Sequence, residues 1–194
     1  MKIGEVFMLK QNDKKTSISK DQLEMRQAFL GGFAGQLVSG IIWIISSALS
    51  VLFLPTYGML FLFFASMAIF PLTQLTLRIV GRSGKVSKEN GLWTLGSQIA
   101  FIVPINFILV GAIIIYEPIW FYPAAMIVIG AHYIPFITLY GMKMFGLLSG
   151  LLIVIGTGIG LYGPNIFSLG GWITGLVLIV FAFLGRTLVL KEEK

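Results

Sequence analysis

His132 is the only histidine of the chain, and it lies in a long apolar stretch. Imidazole titrates near neutral pH, so such a group can accept a proton or bind a ligand. No Asp, Glu, Lys or Arg occurs in the apolar centre of the surrounding segments. Two interpretations follow: His132 is a proton-accepting or ligand-binding group, or it is an interior histidine hydrogen-bonded to a neighbouring amide or carbonyl.

Four uncharged amides accompany the histidine within the apolar segments: Gln36, Gln74, Gln98 and Asn106. Polar side chains are costly in lipid and tend to face the interior of a helical bundle. Counted at 1.5 Å per residue from the cytoplasmic ends of the spans, the three glutamines and His132 lie roughly 8–12 Å deep in the membrane. Asn106 lies nearer the midplane. We predict a polar, ligand-binding chamber that opens to the cytoplasm. In the alternative interpretation, the amides only hold helices together.

Tyr133 is the remaining candidate ligand-binding residue. With Phe136 and Tyr140 it forms an aromatic stripe at helical spacing. Such a stripe lines a ligand site or, more commonly, packs in a core. Internal prolines at Pro71, Pro104 and Pro135 each free a backbone carbonyl in the same region.

The sequence contains no complete motif for catalysis, metal binding or cofactor binding. The sequence GTGIG at 156–160 has no preceding strand, as a dinucleotide loop requires. One histidine without cysteines or buried carboxylates cannot complete a usual metal shell. We therefore predict no catalytic residues, no metal and no cofactor.

The composition indicates that lipid is the solvent. The chain is 57% hydrophobic and 11% charged, against roughly 45–50% and 25% in soluble domains. Six apolar segments of about 18–26 residues can each cross a core of roughly 30 Å. The predicted fold is an all-α, polytopic bundle of six transmembrane helices. The spans are 29–54, 58–80, 92–115, 119–140, 145–162 and 166–185.

The basic residues are confined to one side of these spans. All 14 Lys and Arg residues precede span one, follow span six, or lie at or beyond the facing ends of spans two and three or of spans four and five. The positive-inside rule then predicts cytoplasmic termini, and it accounts for the net charge of +6 without a nucleic-acid partner. We predict a location in the plasma membrane. The predicted organisation is a cytoplasmic tail at 1–18, a membrane domain at 19–190 and a tail at 191–194. A capping box at Ser19 predicts a helix start there.

Two further surfaces have alternative interpretations. Arg78, Arg82, Lys85 and Lys88 are predicted to contact lipid headgroups, or else to dock a soluble partner. Small residues four apart, as in Gly171 and Gly175, indicate close helix packing within the monomer or, alternatively, a homo-oligomer.

Two stretches resemble one protein family. They are KENGLWTLG at 88–96 and GAHYIPFITLYGMKMF at 130–145. Together they resemble domain of unknown function 7010, a family of small uncharacterised bacterial multi-pass membrane proteins. Tyr133 stands where the family pattern has an aliphatic residue. The resemblance implies a polytopic bacterial protein with His132 in a recurring element, and it implies no activity.

Three hypotheses about function remain after the sequence analysis. The first is a binding or transport module for a small polar or amphipathic ligand held around His132. The second is a structural or partner-binding membrane protein without a ligand site. The third is a membrane-embedded enzyme.

Overall fold

The computed structural model describes residues 17–194, and this part of the chain is built from α-helices joined by short turns. The predicted tail at 1–18 therefore lies almost wholly outside the described residues. Residues 17–28 are helical and form α1, so Ser19 lies inside this helix and not at its start. The other helices are α2 (Phe33–Leu52), α3 (Pro55–Met67), α4 (Ile69–Ile79), α5 (Leu92–Tyr116), α6 (Phe121–His132), α7 (Phe136–Tyr140), α8 (Met144–Tyr162) and α9 (Leu169–Glu192).

The prediction of an all-α membrane bundle is confirmed. Five helical stretches are long and apolar enough to cross a membrane, and α3 with α4 forms a sixth if this bent pair is one span. The helix axis bends by 62° between them. Pro71 lies one turn beyond Met67, the last residue of α3. Proline cannot donate to that carbonyl and its ring crowds it, which accounts for the bend.

The fourth span is also interrupted at a proline. Helix α6 ends at His132, and α7 begins at Phe136, directly after Pro135. The Ala131 carbonyl, which a proline at 135 cannot satisfy, accepts a 3.2 Å hydrogen bond from the Ile134 N–H. The helix break thus places His132 at a helix end. Helix α5, in contrast, continues without interruption through Pro104.

Helix α2 is the central element of the bundle. It packs against α9, α3 and α4, while α6 packs against α8 and α5. Trp43 of α2 and Tyr122 of α6 are almost completely buried, with ring centroids 6.0 Å apart. The Tyr122 hydroxyl lies 2.6 Å from Ser46 Oγ and 2.9 Å from Ser50 Oγ, so the polar groups of this part of the core are paired.

Ion pairs gather several basic segments at one end of the bundle, which we call the basic end. Arg26 of α1 pairs with Glu192 at 2.7 Å, and Arg82 of the loop after α4 pairs with Glu193 at 2.5 Å. Helix α9 reaches this end because it continues beyond Gly185, where the predicted sixth span stops. The assignment of the basic end to the cytoplasm stays a prediction.

Candidate functional site

A cavity of about 550 Å³, which we call the chamber, lies between the first four spans. Each of these spans contributes one wall. The lining includes Gly35, Gln36 and Ser39 of α2; Phe63, Ser66, Ile69, Phe70, Thr73 and Gln74 of α3 and α4; Trp93, Ser97, Ala100, Phe101 and Phe107 of α5; and Ile129, His132, Tyr133, Phe136 and Tyr140 of α6 and α7.

Gln36 is the most deeply buried polar side chain of the chamber. Its exposed fraction is 2%. Neither Oε1 nor Nε2 of its amide has a hydrogen-bond partner among residues 17–194. An unpaired buried polar group costs roughly 1–3 kcal/mol in a protein interior. Gln36 therefore brings one acceptor and two donor hydrogens without partners to the wall of the chamber.

His132 lines the same chamber from α6. Its Nδ1 atom is buried and has no hydrogen-bond partner. The imidazole lies among aromatic rings, with centroid distances of 5.6 Å to Tyr133 and 5.1 Å to Phe136. These contacts hold the imidazole ring by packing, and none of them supplies a hydrogen bond to Nδ1.

The structure brings four of the six candidate ligand-binding residues to the chamber: Gln36, Gln74, His132 and Tyr133. Gln74 lies toward the basic end, because a Cβ built on Gly84 would lie only 2.7 Å from Gln74 Oε1. Tyr133 belongs to an aromatic cluster, with centroid distances of 5.1 Å to Phe136 and 6.0 Å to Phe145.

The other two candidates lie outside the chamber lining. Gln98 is exposed on the surface of α5. Asn106 donates its Nδ2–H to the Ile102 carbonyl at 2.9 Å, a bond within its own helix. Substitutions of Gln98 and Asn106 can therefore serve as controls for substitutions of the amides in the chamber.

Sequence reasoning did not assign the hydroxyl groups that line the chamber. Ser39, three residues after Gln36 on α2, is buried, and Thr73 precedes Gln74 on α4. Helical spacing from Gln36 was a sufficient signal for Ser39, since residues three apart share a face. Thr73 had no comparable signal.

Among the residues that the structure describes, 17–194, the chamber lining contains no Asp, Glu, Lys or Arg. Its polar groups are amides, hydroxyls, an indole, phenols and one imidazole. No group of three or more His, Cys, Asp or Glu residues suited to a metal occurs within residues 17–194. A fully charged ligand group would be desolvated here without a counter-ion, which is strongly unfavourable.

Helix α1 closes the chamber at the basic end. Met25 and Phe29 are buried and form part of the lining. The helix is held in place by Gln22, whose Nε2–H donates to the Thr138 carbonyl at 2.7 Å, and by Arg26, which donates to the Tyr140 carbonyl at 3.1 Å. The sequence predicts an opening at this end, whereas the structure places buried side chains there.

Glu24 attaches α1 to the loop between α4 and α5. Its carboxylate accepts hydrogen bonds from Asn90 Nδ2 at 2.7 Å, from the Ser87 N–H at 2.6 Å and from Ser87 Oγ at 3.0 Å. Hydrogen bonding by the Asn90 side chain, followed by the Ser87 backbone, lowers the pKa of Glu24 below its ordinary value. The ionised Glu24 carboxylate therefore links α1 to this loop.

The mouth of the chamber lies on the lateral surface of the bundle. Met67 and Phe70 of the second span line the chamber but are both 61% exposed, and Phe101 of α5 is 70% exposed. Residues that line a cavity while mostly exposed lie at its opening. The opening is thus bounded by the second and third spans, on a surface that faces lipid.

The four predicted headgroup-contact residues have different surroundings. Arg82 is paired with Glu193, whereas Arg78, Lys85 and Lys88 are exposed. Contact of these residues with headgroups stays a prediction.

A second, shallower depression of about 860 Å³ lies on the outside of the bundle between α2 and α3. Its lining is almost entirely apolar, with Leu49, Phe53 and Phe64 among its residues. It offers no buried unpaired polar atom, so it fits lipid contact and not specific recognition.

Fold and site together define a helical membrane protein with an internal, uncharged chamber among its first four spans. The chain belongs to DUF7010, a family of unknown function, which matches residues 18–187 and so includes both stretches on which the resemblance rests. No curated protein and no solved structure matches the chain.

Proposed function

We propose that the protein is a binding module for a small ligand, which the chamber holds through Gln36 and His132. The single observation that carries this proposal is the Gln36 amide, which is 2% exposed and unpaired at both polar atoms. Buried side-chain amides normally have partners. A ligand that hydrogen-bonds this amide would remove the energetic penalty of its burial.

The arrangement of the chamber supports binding over simple helix stapling. An amide that staples two helices donates to or accepts from the neighbouring helix. Within residues 17–194, Gln36 makes no such bond, and His132 Nδ1, which comes from a different helix of the chamber, is also unpaired. Aromatic and apolar side chains with a few polar groups are also the usual lining of small-molecule sites.

The proposal places the protein in a bacterial plasma membrane with its described C-terminus in the cytoplasm. The confinement of all 14 basic residues to one side of the spans supports this orientation. Transport would require in addition that the ligand is released on the other side of the membrane. The function that we propose is binding alone.

Thermal unfolding of the purified protein in lipid nanodiscs tests the proposal. The probes are glycerol, 1-monooctanoylglycerol, octanoate and octyltrimethylammonium. A ligand at 100 times its Kd stabilises a protein by about 2.7 kcal/mol. We expect an uncharged probe to raise the Tm of the wild-type protein and of Asn106→Leu, but not of Gln36→Leu.

Asn106→Leu is the matched control, because it removes an intramembrane amide that lies outside the chamber lining. An equal response of the wild-type protein and Gln36→Leu to every probe, including no response in either, would contradict the proposal and favour a structural role.

A further inference from the structure

We infer that the ligand of the chamber is an uncharged amphiphile with a hydroxyl-bearing head and one hydrocarbon chain, and that it enters from the bilayer between the second and third spans. This inference rests on the proposed function and specifies the chemical class of its ligand. It combines the lateral mouth, the buried unpaired polar groups of the chamber and the absence of charged residues from the lining within residues 17–194.

The mouth determines the route of entry. Phe70 and Phe101 line the chamber from opposite spans and are both mostly exposed. Each lies nine residues from the end of its helix nearer the basic end, Ile79 and Leu92. This spacing corresponds to about 14 Å along the helix axis. The opening therefore reaches the depth of the hydrocarbon core.

The basic end supports the same route. Met25 and Phe29 cover the chamber there, and α1 is held by hydrogen bonds to the carbonyls of Thr138 and Tyr140. An aqueous solute would have to displace α1 to enter. A molecule already dissolved in the bilayer meets only the side chains at the mouth.

The polar groups of the chamber determine the chemistry of the ligand's head group. Gln36 offers both a donor and an acceptor, and a hydroxyl group can satisfy both at once. The lining carries no ionised side chain to balance a carboxylate, phosphate or ammonium. Burial of such an unpaired charge costs several kcal/mol. The chemistry thus selects a glyceryl or similar hydroxyl head over a charged one.

The aromatic and apolar walls accommodate the chain. Phe63, Phe107 and Phe136 line the chamber. A chamber of about 550 Å³ holds the head and the first part of a chain. The remainder then extends through the mouth into lipid, so the ligand leaves no apolar surface in water.

Photolabelling in vesicles tests the inference with a monoacylglycerol that carries a diazirine on its chain beside the ester. We expect labelled peptides from α2 around Gln36 and from α5 around Phe101. Unlabelled monooleoylglycerol competes, and oleate does not. Ala100→Trp places a large side chain at an exposed position of the chamber lining, and we expect it to reduce this labelling at least tenfold.

Val154→Trp is the matched control on α8, where Val154 is 70% exposed and outside the chamber lining. We expect it to leave labelling unchanged. Equal labelling of α8 and α2, equal competition by oleate, or no effect of Ala100→Trp would each overturn the inference.

Glycerol supplied from the aqueous phase separates the two proposals. If glycerol stabilises the protein in a Gln36-dependent manner and Ala100→Trp has no effect on monoacylglycerol labelling, the lateral route fails and the binding function stands. If neither probe depends on Gln36, both proposals fail.

Discussion

Gly40 and Gly175 contact each other reciprocally where α2 crosses α9. A Cβ built on Gly40 would lie 2.8 Å from the Gly175 carbonyl oxygen, and one built on Gly175 would lie 2.9 Å from the Gly40 carbonyl oxygen. Contacts this short to backbone do not occur with real Cβ atoms, so either substitution forces the helices apart. The small residues at this crossing therefore pack within the chain, on the helix pair that forms the centre of the bundle.

Gly175→Ala is expected to destabilise the protein by about 1–3 kcal/mol, the usual cost of overpacking a dense interior. Gly158→Ala is the control, because a Cβ there would meet nothing within 4 Å. Alanine is the better helix former by roughly 0.5–1 kcal/mol, so this variant should be neutral or stabilised. Denaturant unfolding in mixed micelles measures both. Equal stability of the two variants would contradict the close approach of α2 and α9.

Gln36→Leu is expected to stabilise the ligand-free protein. The substitution removes two unpaired polar atoms at nearly constant volume, a gain of up to roughly 1–3 kcal/mol. Asn106→Leu should change stability by less than about 1 kcal/mol, since it removes only a bond within one helix. The Tm values of the two ligand-free variants in nanodiscs provide the comparison. A lower Tm for Gln36→Leu would mean that the amide has a partner.

Acidification is expected to weaken the attachment of α1 to the loop after α4. The pKa of Glu24 is lowered from its ordinary 4.5 in the folded protein. Its contribution is therefore complete above pH 4.5 and is lost as the pH falls through the lower, folded value. Hydrogen exchange of residues 17–28 should accelerate in this range. Asn90→Ala should show accelerated exchange already at neutral pH, whereas Glu89→Gln, at an exposed position, should behave as wild type.

Pro71→Ala is expected to reduce the 62° bend between α3 and α4. Alanine restores the hydrogen bond that Pro71 cannot donate to Met67. The chain has no cysteine, so spin labels at Tyr57→Cys and Ile79→Cys report this distance cleanly. Straightening lengthens the separation from about 28 Å to about 33 Å. Pro104→Ala, in the continuous helix α5, should leave this distance unchanged, and an unaltered distance in Pro71→Ala would assign the bend to tertiary packing.

The membrane class of the protein was predictable because it depends on local quantities. Segment length and apolar content predict the spans. The first span closely follows the prediction, since it covers Leu30–Leu52 where 29–54 is predicted. Proline positions predicted disturbed backbone, but their consequences differ: a bend before Pro71, a break before Pro135 and a continuous helix through Pro104. Neighbouring helices decide which of these outcomes a proline produces.

The sequence by itself determined that amides and one imidazole lie inside the membrane spans, because residue type and depth can be counted along the chain. Only the tertiary structure decided which of them meet. Gln36 and Gln98 are the same residue at similar predicted depth, yet one is buried in the chamber and the other is exposed. Helix α5 is apolar on all sides, so its pattern does not fix its rotation about its own axis. Packing against α6 fixes that rotation, and hydrogen bonds between distant residues likewise place α1 over the basic end.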